Sequence, residues 1–310
     1  MITTVTLNAS VDKRYSLERL EPGTVMRLTS CRETAGGKGL NVARVLKLLG
    51  AQVLATGLAG GRNGDFIECE LTSLGICHDF VRIRGESRCC VNVIEAETGR
   101  QTEFLEPGPP VDGPAVDDFL GRFERAASRS SVVTISGSLP QGIPEGFYAT
   151  LATLARRAGA LSIVDAGGGS LESALRCGPD LVKPNLEEAS SLLGRRLESE
   201  RDAADAASAC LDLGARIAVV SMGARGAVVA GPDALLKVSP PRVEARNAVG
   251  CGDSMVAGFA RGLEGCWGLE RSARFAVALS AASAMCEETG GFRAGDLESL
   301  LPLVEATGLH

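Results

Sequence analysis

An aspartate follows two glycines at the mouth of an apolar helix in Asn247-Ala248-Val249-Gly250-Cys251-Gly252-Asp253-Ser254-Met255-Val256-Ala257-Gly258-Phe259. Gly250 and Gly252 let the backbone bend and let a ligand approach with no Cβ in the way. Beyond them Val256, Phe259 and Leu263 fall along one helical face. The first amides of such a helix, near Gly252, Asp253 and Ser254, lack intrahelical acceptors and carry the positive end of the helix dipole. That end attracts anions, phosphate above all. A carboxylate there repels phosphate unless it has a task. Taking the proton from a hydroxyl that attacks the phosphate is such a task. Asp253 is therefore a candidate base, beside a backbone suited to anions. A plain helix cap on an ordinary turn is the alternative.

Other stretches carry further chemistry. Ala35-Gly36-Gly37-Lys38-Gly39-Leu40-Asn41-Val42-Ala43 is a second glycine-rich turn entering a helix. Its spacing matches neither a Walker A loop nor a strand-borne G-x-G-x-x-G. It suits close backbone approach to a polar substrate, with Asn41 donating to and accepting from hydroxyls, or a hinge. Asn185-x-x-Glu188 has capping-box spacing, and the same oxygens suit a water-mediated Mg²⁺ beside nucleotide phosphates. Ser221-x-Gly223-x-x-Gly226 reads as a hairpin, or as a hydroxyl and bare backbone embracing a triphosphate. Arg27 and Arg88 are solvated surface charge by default, but guanidinium forks suit a phosphorylated substrate. Cys89 and Cys90 read as packing residues.

These residues need elements to hold them. Short runs rich in Val, Ile and Leu (Ile2–Asn8, Gln52–Gly57, Ser131–Ser136, Ser162–Asp165, Leu181–Lys183, Ile217–Ser221) alternate with helical patterns such as Asn41–Leu49, Gly146–Arg157 and Arg201–Leu213. That alternation predicts an α/β fold, a mostly parallel central sheet covered by helices on both faces. From Asp253 onward the pattern is nearly all helical, with Ser272–Glu288 alanine-rich. Two stretches break the alternation with strand-like runs (Val25–Leu28, Cys90–Glu95, Gln101–Leu105) and a hairpin turn at Glu97-Thr98-Gly99-Arg100. They predict a small β-sheet lid of residues 12-33 and 88-105, standing off a core of 1-11, 34-87 and 106-310. A lid would exclude water from phosphoryl transfer. Asn8 to Asp12, Ser136-Gly137-Ser138, Asp165, Lys183-Pro184-Asn185 and Ser221-Met222-Gly223 all follow strands. In an open parallel sheet such residues gather along one edge and bind ligand there.

Composition narrows the function. The chain of 310 residues is 45% hydrophobic and carries a net charge of −6, ample for one large core. Without a long basic run, no nucleic-acid or membrane-surface role is expected. No apolar run reaches transmembrane length, and the first residues read as a strand rather than a signal peptide. Ten cysteines without a C-x-x-C pair, and only two histidines, argue against zinc, histidine triads and a disulfide framework. A cytoplasmic protein with reduced thiols is the expectation.

Together the motifs resemble the PfkB (ribokinase-like) family of carbohydrate kinases over nearly the full chain. Ala248-Val249-Gly250-Cys251-Gly252-Asp253-Ser254 is similar to that family's C-terminal signature, and Gly36-Gly37-Lys38-Gly39-Leu40-Asn41-Val42-Ala43 to its N-terminal one. Thr6-Leu7-Asn8 with Asp12, Ser136-Gly137-Ser138-Leu139-Pro140 and Val182-Lys183-Pro184-Asn185 point to the phosphosugar branch. The resemblance implies a ribokinase-like three-layer α/β/α fold with a small β-sheet lid, ATP and Mg²⁺ as cofactors, and homodimers that pair through the lid. It implies Asp253 as catalytic base with Gly250, Cys251 and Gly252 in its anion hole. Asp12, Gly37 and Asn41 would hold sugar hydroxyls; Arg27, Arg88 and Ser138, helped by Lys38, would hold the substrate's phosphate. Lys183, Asn185, Ser221, Gly223, Gly226 and Gly252 would surround ATP, and Glu188 would organise Mg²⁺.

Departures from the family matter for the substrate. Asn8-Ala9-Ser10-Val11-Asp12 loses the family's usual proline but keeps Asp12. Thr102-Glu103-Phe104-Leu105-Glu106-Pro107-Gly108-Pro109 resembles the lid end of 1-phosphofructokinases and tagatose-6-phosphate kinases, whereas the minor 6-phosphofructokinase carries a basic residue at the Glu103 position. The expected reaction is fructose 1-phosphate to fructose 1,6-bisphosphate, with tagatose 6-phosphate next and 6-phosphofructokinase activity last. A catalytically silent sugar-phosphate sensor and a nucleoside kinase are the rival readings; the second has no need for Arg27 and Arg88. Cys251 stands where relatives usually carry alanine. The helix field favours its thiolate and Asp253 disfavours it, so a modest net pKa shift is expected.

Overall fold

A computed structural model describes residues 1–309. Its strands, in chain order, are β1 (Ile2–Thr6), β2 (Ser10–Leu17), β3 (Ser30–Gly36), β4 (Val53–Ala59), β5 (Cys77–Arg82), β6 (Arg88–Glu95) and β7 (Gln101–Leu105). Then come β8 (Val132–Ser136), β9 (Leu161–Asp165), β10 (Leu181–Val182), β11 (Ile217–Ser221), β12 (Ala227–Gly231), β13 (Ala234–Ser239) and β14 (Glu305–Gly308). The helices are α1 (Lys38–Leu48), α2 (Gly61–Ser73), α3 (Gly113–Ala127), α4 (Phe147–Arg157) and α5 (Gly168–Leu175), then α6 (Leu186–Leu193), α7 (Glu200–Asp212), α8 (Cys251–Glu264), α9 (Leu269–Ala284) and α10 (Ala294–Leu300).

Consecutive apolar pairs build the centre. Val132-Val133, Ile163-Val164, Leu181-Val182 and Val228-Val229 lie in strands, where successive side chains point to opposite faces. Val132, Ile163, Leu181 and Val229 enter one core with residues of α1, α2, α8, α9 and α10. Val133, Val164, Val182 and Val228 enter another with residues of α3 to α7. Burying both faces yields the three-layer α/β/α arrangement.

Ten strands form the central sheet, in the order β14-β13-β12-β11-β10-β9-β8-β1-β4-β5. From β11 to β5 every pairing is parallel, and β11 to β14 are antiparallel. The chain leaves β1 toward β4 and later returns to its other side at β8, so the strand order reverses there. Ligands bind beyond the strand ends at such a reversal.

The smaller sheet has the order β3-β2-β6-β7. It takes in Ser10 and Gly36, outside the expected lid bounds. Two element expectations fail. Val25–Leu28 is not a strand: it follows the Pro22-Gly23 turn, has no ladder partner, and Val25 is 97% exposed. The polar run Ser30–Gly36 forms the strand instead, because it lies in register with Ser10–Ser16. The C-terminal region is not nearly all helical either, since β14 adds antiparallel to β13. A sheet edge with unpaired backbone groups recruits such a segment, whatever its intrinsic preference.

Candidate active site

A cleft of about 1590 Å³ runs along the carboxyl ends of β1, β8, β9 and β11 and beneath the smaller sheet. Single small-molecule pockets span roughly 300–1,000 Å³, so there is room for two ligands side by side.

Asp253 lies in the first turn of α8. Gly250 caps that helix in the left-handed region at φ 83, which favours glycine. An added Cβ there would sit 2.8 Å from Thr289 Cγ2. No side chain caps α8 or α1, whose N-cap is Gly37. Both positive helix ends open onto the cleft, leaving their amides for an anionic ligand. The Asp253 carboxylate is buried and accepts a hydrogen bond from Asn41 Nδ2 at 2.8 Å. Its pKa is pushed up to about 7, first by burial and then by the Asp165 carboxylate, while Lys38, Asn41 and Lys183 pull it down. A base poised near neutrality is what proton abstraction needs.

Asp165, at the end of β9, organises the lysines. It is 3.4 Å from Lys38 Nζ and 3.2 Å from Lys183 Nζ, and its Oδ2 has no hydrogen-bond partner. Lys38 also lies 3.4 Å from Glu188 Oε1. Burial alone would lower the Lys38 pKa, but the carboxylates of Asp165, Glu188 and Asp253 outweigh it and the ammonium is held firmly charged. Glu188 and Asn185 form the capping box their spacing suggests, with Asn185 Oδ1 accepting from Glu188 N at 2.8 Å and Glu188 Oε2 from Asn185 N at 2.9 Å. The cap uses Oε2 and leaves Oε1 toward Lys38.

At the other end, Asp12 on β2 accepts from Ser10 Oγ at 2.6 Å. Gly36 is required by contact, since a Cβ there would stand 2.0 Å from Asp12 Cγ. Burial pushes the Asp12 pKa up, opposed by the Ser10 hydroxyl and by the Arg44 and Arg88 guanidiniums. Arg88 donates from Nε to Asn8 O at 3.0 Å and from Nη1 to Glu106 O at 3.1 Å. Asn8 Nδ2 donates to Ser138 Oγ at 3.1 Å and to Pro107 O at 3.2 Å. Arg88, Asn8 and Ser138 thus form one fixed cluster, reached from β6, the end of β1 and the end of β8.

The cleft gathers Asp12, Gly37, Lys38, Asn41, Arg88, Ser138, Lys183, Asn185, Ser221, Gly223, Gly226 and Gly250 through Asp253. Arg27 is not brought in; it sits on the exposed segment after the Pro22-Gly23 turn, away from the lining. Cys251 also departs from expectation. Burial, with the Asp253 carboxylate adding to it, pushes its thiol up to about 11. The helix field cannot offset that desolvation. Sequence reasoning placed Asn8 and Asp165 at strand ends but gave neither an individual role, and it missed Arg44. The spacing Asn41-x-x-Arg44 on one helix face was the available signal for Arg44.

A doubly covered α/β sheet, two open helix ends beside a near-neutral carboxylate, and a fixed cluster of Arg88, Asn8 and Ser138 suit phosphoryl transfer. The chain belongs to the pfkB family of carbohydrate kinases, whose model matches residues 3–293. It is 30% identical to phosphofructokinase-2 of Escherichia coli, seen in its tetrameric inhibited form, over 97% of this chain and 98% of that one, with a TM-score of 0.90. A possible 1-phosphofructokinase from Thermotoga maritima is 27% identical over 100% of both chains, with a TM-score of 0.91. Arabidopsis thaliana ribokinase, complexed with ribose and ATP, is 22% identical over 97% of this chain and 98% of that one, at a TM-score of 0.77. The last likeness establishes the fold alone, which is ribokinase-like.

Proposed function

We propose that this kinase transfers the terminal phosphoryl group of ATP to a hydroxyl of a sugar phosphate, converting fructose 1-phosphate to fructose 1,6-bisphosphate. The observation that carries transfer is Asp253, buried, near-neutral in pKa, and set in the first turn of an uncapped helix. It takes the hydroxyl proton as the bond to phosphorus forms, and the α8 amides face the charge that develops. Asp12 and Asn41 orient the sugar hydroxyls. Arg88 and Ser138, held as one cluster with Asn8, take the phosphate the substrate already carries; Lys38 assists.

ATP fits the remaining part of the cleft. Lys183, Asn185, Ser221, Gly223, Gly226 and Gly252 line its polar side, and Val243, Val277 and Ala281 offer an apolar wall to the base. Among the described residues no cluster of three or more His, Cys, Asp or Glu could cage a metal. Mg²⁺ needs none, because it keeps water and phosphate oxygens and takes one or two carboxylates. Glu188 Oε1, which the cap leaves unused and Lys38 approaches at 3.4 Å, would reach the ion through a water, and the ion, when bound, would neutralise phosphate charge.

Glu103 supports the choice of sugar. It lines the cleft on β7, where its carboxylate repels a phosphate that a basic residue would attract. Tagatose 6-phosphate is the second candidate and fructose 6-phosphate ranks below both. The intact base and open helix ends weigh against a silent sensor. Assaying ATP consumption across phosphorylated and free hexoses tests the reading, with fructose 1-phosphate expected to give the highest kcat/KM. Turnover with none of the sugar phosphates would sink it.

The assembly is a homodimer paired through the smaller sheet. Phe104 and Leu105 on its edge strand β7 are exposed, as are Val25 and Leu28 just ahead of β3 at its other edge. Such apolar surface at a sheet edge favours a second copy over water. All ten cysteines are free, in keeping with a cytoplasmic setting, and no described helix is long and apolar enough to cross a membrane.

A further inference from the structure

Behind the base lies a chain of contacts that the reaction, as described so far, does not use. Asn41 reaches Asp253 through Nδ2 at 2.8 Å. The same amide, turned over, would present its oxygen to the carboxylate and repel it. Arg44, one turn along α1, donates from Nη1 to Asn41 Oδ1 at 3.1 Å. A guanidinium only donates and an ionised carboxylate only accepts, so the two neighbours admit a single orientation of the amide. Arg44 is itself fixed. Its Nη2 donates to Glu70 Oε1 at 2.8 Å and to the Ala35 carbonyl, and its side chain is 10% exposed. Glu70 Oε2 in turn accepts from Ala35 N at 2.7 Å. The Glu70–Arg44 pair thereby grips both backbone polar groups of Ala35, next to the last residue of β3.

We propose that Arg44, backed by Glu70, is a positioning residue: it locks the Asn41 amide so that it donates to Asp253, and it ties that donation to the end of the small-sheet strand β3. Displacing β3 would pull on Ala35, loosen Arg44 and leave the amide free to turn. The base is then held ready only while the smaller sheet is seated. The other groups facing Asp253 are Lys38 on α1, Asp165 at the end of β9 and Lys183 after β10. None of them contacts the Asn41 oxygen, so none can replace Arg44.

The inference rests on Asp253 being the base, and the experiment separates the two. The acid limb of kcat/KM for fructose 1-phosphate and ATP is measured in wild type, Arg44→Met, Arg44→Lys, Asn41→Leu and the Arg44→Met/Asn41→Leu double variant, beside Asp253→Asn. Losing a hydrogen bond to the charged form raises an acid's pKa, so Arg44→Met is expected to move the limb upward by about one pH unit and to lower kcat roughly tenfold. Arg44→Lys, which keeps a donor against Oδ1, is expected to recover most of the limb. In the double variant the limb stands where Asn41→Leu alone puts it, because one residue acts through the other. An unmoved limb in both Arg44 variants, additive shifts in the double, or a change confined to the sugar KM would each overturn the proposal. Near-normal turnover in Asp253→Asn would instead overturn the assignment of the base.

Discussion

The Lys183 ammonium and the Asp165 carboxylate stand 3.2 Å apart with side chains 4% and 1% exposed. Lys38 reaches the same carboxylate oxygen at 3.4 Å. Removing one member of a buried pair strands the charge of the other, at about 3–5 kcal/mol. Asp165→Asn is expected to lose stability of that order in urea unfolding. Because the Asp165 charge raises the Asp253 pKa and both lysines lower it, the acid limb of activity should also move to lower pH. An upward shift would contradict this account of the site.

Asp253→Asn is expected to lower kcat by about 10²–10⁴-fold with the affinities for ATP and sugar phosphate nearly kept. In wild type the base works only when ionised. With its pKa near 7, kcat/KM should fall about tenfold per unit as pH drops below that point. The pH profile and equilibrium binding of both ligands check this.

The same carboxyl also makes a statement about stability. Its folded pKa of about 7 stands above the ordinary aspartate value of 3.8, so the folded protein holds a proton there that the unfolded chain releases. The contribution is fully present below pH 4 and is lost as pH rises through 7. Asp253→Asn, which keeps the hydrogen bond from Asn41 but no charge, should match wild type near pH 4. By pH 8 it should be more stable by on the order of 1–4 kcal/mol. Unfolding midpoints across that range decide it.

Arg88→Ala is expected to raise the KM for the phosphosugar by about 10–150-fold and to leave that for ATP nearly unchanged, the loss of one charge-assisted contact to phosphate. Arg27→Ala should do far less within a single protomer, since Arg27 is outside the cleft. Steady-state kinetics with each substrate varied in turn measure both.

Cys251 should be a slow target for alkylation. With its pKa pushed up to about 11, the thiolate is a very small fraction at neutral pH. Brief iodoacetamide treatment with peptide mapping is expected to label the exposed Cys31, Cys69, Cys77 and Cys266 first. Cys251→Ala should remain active. Early modification of Cys251, protected by ATP, would show its thiol to be more acidic than its surroundings imply.

The sequence by itself determined the alternation of strands and helices, because consecutive Val, Ile and Leu pairs can only be buried between two helical layers. It determined Asp253 and its glycines as well, since a helix N-terminus and the residue that caps it are local. Asn185 and Glu188 were legible for the same reason, three residues apart on one helix. Only the tertiary structure decided what crosses the chain. Asn41 meets Asp253 over 212 positions, Asp165 takes two lysines from different elements, and Ser30–Gly36 became a strand where Val25–Leu28 did not. Pairing and burial depend on what lies opposite, and a window of sequence does not contain its own partner. Burial likewise overruled the helix field at Cys251, and desolvation exists only once the fold has closed around a residue.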